Sequence, residues 1–171
     1  MPKVAKPKPD YLAGCCAKFI KLGEANPDQL SADVLAAAFL KYFEVTPPLT
    51  TDKLIWIFKT CRITWQICEM PGKLTGFCMQ TPNGWEIACQ GRSWAGGLMF
   101  PALHEFRHVI SETLKMLSLI SSPPPDIERA CERFAAATMM PTPWFKDITL
   151  GAGFNPVWLH KVYDFGYQAP L

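Results

Sequence analysis

A His-Glu-Phe-Arg-His segment at positions 104–108 constrains this chain more than any other part of its sequence. Two histidines four residues apart point the same way on an α-helix, where about one turn separates them. His104 and His108 could then bind one metal ion, with the Glu105 carboxylate beside it. The chain has only three histidines, so composition alone would rarely produce this pattern. The segment makes a zinc-dependent peptidase the leading hypothesis, and an exposed helix face of mixed charge is the alternative.

A second acidic segment begins at Asp126, directly after a Ser-Ser-Pro-Pro-Pro break at 121–125. A catalytic zinc site takes three protein ligands and keeps a fourth position open, and a carboxylate from a neighbouring helix is a common third ligand. Glu128 is the predicted third ligand. Glu132 lies one turn later and is predicted to accept a hydrogen bond from a histidine ring, or to exchange roles with Glu128. Taken alone, the segment is most simply an amphipathic helix with solvated charges.

These residues resemble the ImmA/IrrE family of metallopeptidases, which pairs HExxH with a downstream E-x-x-A-(D/N)-x-F-A-A-x-L-L-M-P motif. In this chain Glu128 is followed by Phe-Ala-Ala-Ala-Thr-Met-Met-Pro at 134–141. The resemblance covers roughly the middle of the chain, through Pro141.

Three positions depart from the family pattern. Cys131 replaces the usual alanine, and Glu132 stands where Asp or Asn is common. Neither change alters the ligand set that the resemblance implies. Arg107 replaces a frequent glycine, and a cation there would weaken metal binding unless it points away or pairs with a carboxylate such as Glu112.

The resemblance implies a zincin-like α+β domain, in which helices pack on a small antiparallel sheet and a central helix contains the HExxH motif. The metal ligands would be His104, His108 and Glu128. The expected ion is Zn²⁺, and Mn²⁺ or Fe²⁺ fits the same ligands.

Each site residue has a predicted chemical task. Zinc would lower the pKa of its bound water from about 15.7 towards 7 and polarise the scissile carbonyl. Glu105 would take the proton of that water and pass it to the leaving amine. His160, Tyr163 and Arg107 are the candidates for stabilising the oxyanion, and the sequence does not choose among them.

Relatives in the family typically cleave DNA-binding repressors in mobile elements, phages or stress responses. The expected function is therefore a metalloendopeptidase of transcription regulation, with a helix-turn-helix repressor as its protein substrate. The rival hypothesis is a non-catalytic metal-binding or protein-interaction module that regulates transcription through a partner. A peptidase would lose turnover on Glu105→Gln, whereas a binding module would keep its activity.

Composition predicts a soluble protein in a reducing compartment. Seven cysteines without any C-x-x-C pair argue against a disulfide framework and favour the cytoplasm. No stretch approaches the about 18 apolar residues of a membrane span. A net charge of +2, with no evident helix-turn-helix, argues against direct nucleic-acid binding.

The predicted organisation is one domain with two flanking segments. Residues 1–10 form a flexible basic leader, 11–145 the zincin-like domain, and 146–171 a tail with a short docking helix. Helices are predicted at 11–22, from Ser31 or Asp33 to 43, and at 51–59, and antiparallel strands at 62–68, 74–80 and 85–89. Pro101 is predicted in the first turn of the HExxH helix. A loop is predicted from Pro143, before a helix at 156–165.

Overall fold

The computed structural model describes residues 11–23, 31–91 and 95–152. The predicted leader and the predicted tail helix at 156–165 lie outside these ranges. The elements in chain order are α1 (Tyr11–Gly23), α2 (Ala32–Tyr42), α3 (Thr51–Thr60), β1 (Ile63–Cys68), β2 (Gly76–Thr81), β3 (Gly84–Gln90), α4 (Ala95–Met116), α5 (Ile127–Met139) and α6 (Thr142–Ala152). The described part is a mixed α and β structure, as predicted, and none of its helices is long and apolar enough to cross a membrane.

Side-chain caps fix where three of the helices begin. The hydroxyl of Ser31 accepts a hydrogen bond from the Val34 backbone N–H, which selects Ser31 over Asp33 as the cap of α2. Thr50 caps α3 in the same way, one residue before the predicted start. Asp126 caps α5 through the Arg129 backbone N–H. The last cap matters for function because Glu128 lies in the turn that it stabilises.

The sheet is mixed, and the prediction of an antiparallel meander is wrong for its first strand. The strand order is β1-β3-β2. β2 and β3 form the predicted antiparallel hairpin, in which Thr81 pairs with Gly84 across the turn. β1 runs parallel to β3, and Ile63 pairs with Trp85. The connection at 69–75 therefore leads to the far side of β3. β3 becomes the central strand of the three and is also the most buried of them, chiefly in its second half.

The helix with the two histidines lies at the centre of the fold, as predicted. α4 contacts α1, α3, α5, β2 and β3. Phe106 on α4 is fully buried beside Phe39 of α2 and Phe58 of α3, with ring centroids 5.7 and 5.4 Å away. Phe134 of α5 completes this aromatic cluster at 5.8 Å from Phe39. The cluster fixes α4 and α5 side by side beneath their exposed faces.

Two predictions about helix limits are corrected. α4 begins at Ala95, so Pro101 lies inside the helix rather than in its first turn. The proline ring leaves residue 101 without a backbone N–H donor. Buried neighbours such as Met99 and Leu103 nevertheless favour a helix that continues through Pro101. α6 occupies the predicted loop after Pro143, because proline is well tolerated at the start of a helix. It runs across the predicted domain boundary at 145 and 146.

We expect Phe39→Ala to lower the free energy of unfolding by about 3–5 kcal/mol, because it removes the ring that joins three helices. Val34→Ala on the same helix is the control, since Val34 is 37% exposed and should cost far less. Urea denaturation followed by circular dichroism would measure both. Similar losses for the two variants would contradict the assigned core.

Candidate metal centre

Helix α4 presents His104 and His108 on one half-buried face. The ring centroids are 5.2 Å apart, as one helical turn requires. Their side chains are 17% and 24% exposed, so both rings are accessible from solvent yet supported by protein. Burial is the main cause that lowers the pKa of His108. A neutral imidazole is favoured there, and a neutral ring is the form that binds a metal.

Glu128 on α5 faces both histidines. Its Oε2 lies 3.2 Å from Nε2 of His104, and its Oε1 lies 3.3 Å from Nε2 of His108. The Glu128 side chain is 69% exposed, so the carboxylate covers the solvent side of the pair. The structure thus brings together the three residues that were predicted as ligands from two separate segments of the chain.

Cys131 is a fourth potential ligand, which the ligand pattern of the sequence did not predict. It follows Glu128 by three residues on α5, which places both on the same side of the helix. One ligand atom each from His104, His108 and Cys131 forms a group with all separations within 4.8 Å, and this group could hold a metal ion. The spacing from Glu128 was the signal that could have identified it.

The donors fit a transition-metal ion better than a hard cation. Zinc is bound in proteins by imidazole nitrogen, thiolate sulfur and carboxylate oxygen, the types found here. Calcium and magnesium prefer oxygen ligands only. No disulfide involves any of the seven cysteines, all of which lie in the described ranges, so the Cys131 sulfur is available to a metal.

Glu105 lies on the side of α4 that meets the sheet. An added Cβ at Gly76 of β2 would be 3.1 Å from Cγ and 3.2 Å from Oε1 of Glu105, so this glycine lets the strand approach the carboxylate. Burial raises the pKa of Glu105, while the charge of His104 and a hydrogen bond from the Cys78 thiol lower it. The Glu105 carboxylate is thus held against β2, next to the histidine pair.

Arg107 points into the protein. Its side chain is buried, with 3% exposure, and Nη1 donates a hydrogen bond to the Ser111 hydroxyl. Within residues 95–152, no ion pair joins it to Glu112, the partner considered above. Burial is the main cause that lowers the pKa of Arg107. A role in oxyanion stabilisation stays a prediction, and substrate cannot reach a side chain this buried without a rearrangement.

The remaining predicted site residues are not brought into the centre. Glu132 is exposed on α5, and in the described ranges no ion pair or hydrogen bond links it to His104 or His108. Its role as alternative ligand or histidine partner stays a prediction. His160 and Tyr163 lie outside the described residues.

We expect Glu105→Gln to stabilise the metal-free protein at about pH 8 and to have little effect near pH 4. Burial raises the Glu105 pKa above its ordinary value of 4.5, so the folded state binds more protons than the unfolded state above that value. The contribution of Glu105 to stability therefore falls as pH rises through the folded-state pKa, and glutamine removes this loss.

Urea denaturation in the presence of a chelator, repeated across this pH range, would measure the effect. Glu132→Gln is the matched control, because Glu132 is exposed and its substitution should be nearly neutral at every pH. An advantage of Glu105→Gln that grew towards low pH would contradict the assigned environment.

The comparisons with known proteins do not assign a family. No protein-family model matches this chain, and no curated protein is significantly similar to it. Function is therefore inferred from the side chains that α4, α5 and β2 bring together.

Proposed function

We propose that this protein is a zinc-dependent metalloendopeptidase of ImmA/IrrE type that cleaves a DNA-binding repressor. The observation that supports it most is the position of Glu128, whose two carboxylate oxygens each lie beside one Nε2 of the histidine pair. Two imidazole rings that converge on one carboxylate from another helix are the arrangement that a His-His-Glu metal site needs.

His104, His108 and Glu128 would hold the ion. When bound, zinc supplies Lewis-acid activation of water and polarises a carbonyl group. Glu105 follows His104 directly in sequence but is directed towards β2 rather than into the ligand group. It accepts a proton from the attacking water at its carboxylate and delivers that proton to the leaving amine. Its raised pKa supports this task, because a buried carboxylate holds a proton more readily than an exposed one.

β2 offers a binding edge for an extended peptide. It is an edge strand of the described sheet, and its Gly76 lies so near Glu105 that an added Cβ would be 3.1 Å from the Glu105 Cγ. An extended substrate can add to such an edge through backbone hydrogen bonds. A peptide bound along β2 would bring its backbone near Glu105 without depending on particular side chains.

The repressor as substrate is part of the proposal and rests on the resemblance to the ImmA/IrrE motif. Cleavage of a helix-turn-helix protein would relieve transcriptional repression in a mobile element, a phage or a stress response. One observation favours the rival function, a non-catalytic metal-binding module that regulates transcription through a partner. Cys131 lies close enough to the histidines to act as a fourth protein ligand, and structural zinc sites have four.

The test is cleavage of candidate helix-turn-helix repressors by the zinc-loaded protein, followed by intact-mass spectrometry. We expect Glu105→Gln to lower the cleavage rate by about 10²-fold or more, because it removes the general base, and to leave the zinc content unchanged. His104→Ala should lose both zinc and cleavage.

Glu132→Gln is the control for removing a carboxylate close in sequence to Glu128. It should keep both zinc and activity, and loss of zinc would favour Glu132 as the alternative ligand. Two results would contradict the proposal: no cleavage of any candidate by the zinc-loaded wild type, or equal rates for wild type and Glu105→Gln. The second result would favour the interaction module.

A further inference from the structure

The buried half of the metal centre holds a thiol and a cation that the proposed peptidase mechanism does not use. Cys131 is 0% exposed and Arg107 is 3% exposed. Each affects the pKa of the other, in the direction expected for a guanidinium near a developing thiolate. Cys131 belongs to the ligand group itself, and Arg107 directly precedes His108 on α4.

Arg107 has too few partners for a buried charge. Its Nη1 donates to the neutral Ser111 hydroxyl, while its Nε is buried with no hydrogen-bond partner. Leaving an ionised group in the interior without a counter-charge is costly. The described residues provide no carboxylate in an ion pair with it. The groups whose charge would favour its ionised form are the thiols of Cys131 and Cys16.

The distances allow Cys131 to reach an ion bound by the histidines. Zinc binds nitrogen at about 2.0–2.1 Å and sulfur at about 2.3 Å, so ligand atoms around one ion are roughly 3.5 Å apart. The three ligand atoms here lie within 4.8 Å of one another. Side-chain shifts of about 1 Å would therefore bring them into coordination.

We infer that the Cys131 thiolate is a direct ligand of the metal and that the buried Arg107 guanidinium is its counter-charge. This inference rests on the metal site of the proposed function. When the ion binds, the S–H bond breaks, a sulfur–metal bond forms and the proton passes to solvent. Arg107 is then paired with an anion, and the centre has four protein donors: His104, His108, Glu128 and Cys131.

The four donors differ in their exposure to solvent, and this decides which of them could leave the ion. A catalytic zinc needs an open position, which four protein ligands remove. Cys131 is fully buried, whereas Glu128 is 69% exposed. Glu128 is therefore the ligand that can leave towards solvent, and the open form then differs from the ligand set proposed above, because it holds Cys131 in place of Glu128. The closed form would be latent.

Cobalt substitution tests the sulfur ligand directly. Protein loaded with Co²⁺ alone should show the intense near-ultraviolet thiolate-to-cobalt charge-transfer band, which nitrogen and oxygen ligands do not give. Cys131→Ala should abolish the band and weaken cobalt binding. Cys89→Ala is the matched control, since Cys89 is equally buried but lies on β3, and it should keep the band. Glu128→Ala should keep the band as well.

Cobalt binding by Arg107 variants tests the role of Arg107 separately. Arg107→Met should weaken cobalt binding by about 10–100-fold, as loss of a group that orients a ligand does, and Arg107→Lys should restore part of it. In the Cys131→Ala background, Arg107→Met should have no further effect. A purely structural role would instead weaken binding equally in both backgrounds, and that result would overturn the counter-charge.

Other outcomes separate this inference from the peptidase proposal. Cobalt bound at full affinity without the band would overturn the Cys131 ligand and leave the peptidase proposal intact. A band without repressor cleavage would support the Cys131 ligand and count against the peptidase. No cobalt binding by the wild type would overturn both. Circular dichroism of each variant would show that it is folded.

Discussion

The packing of α4 against α5 is the contact on which the rest of this structure depends. Phe106 and Phe134, one from each helix, are fully buried and lie with ring centroids 6.4 Å apart. Phe39 of α2 contacts both edge to face. Burying rings of this size contributes about 1.5–3 kcal/mol each, and it fixes the distance between the helices. The histidines of α4 face Glu128 and Cys131 of α5 only because this distance is set below them.

The same burial controls the charges around the centre. Burial leaves the ionised forms of Cys131 and Arg107 poorly solvated. It therefore raises the pKa of the Cys131 thiol to about 12 and lowers the pKa of Arg107. It also favours a neutral His108. A metal ion would change this balance, because it supplies positive charge to thiolate and carboxylate donors at once. Metal binding and folding stability are coupled wherever ligands must lose protons to bind.

The sequence predicted α1, α2 and α3 closely, because the signals that start and end these helices are local. Ser31 and Asp126 cap helices through backbone groups three residues away. The Asn-Gly pair at 83–84, a common turn of two-residue hairpins, is a local signal of the same kind, and it joins β2 to β3. The direction of β1 was missed, since each strand presents similar backbone donors and acceptors to either neighbour. Its partner and direction depend on how the whole sheet packs against the helices, which no local signal encodes.

The sequence by itself determined the histidine pair, because the spacing of His104 and His108 suffices to place both rings on one side of any helix. It also identified Glu128 as a candidate, through a pattern rather than a distance. Only the tertiary structure decided that Glu128 faces both rings, that Glu105 meets Gly76 and that Arg107 is buried. It alone placed the Cys131 sulfur beside the histidines. The physical reason is that a helix fixes the relation of residues within one turn, whereas contacts between helices are fixed by the core that they share.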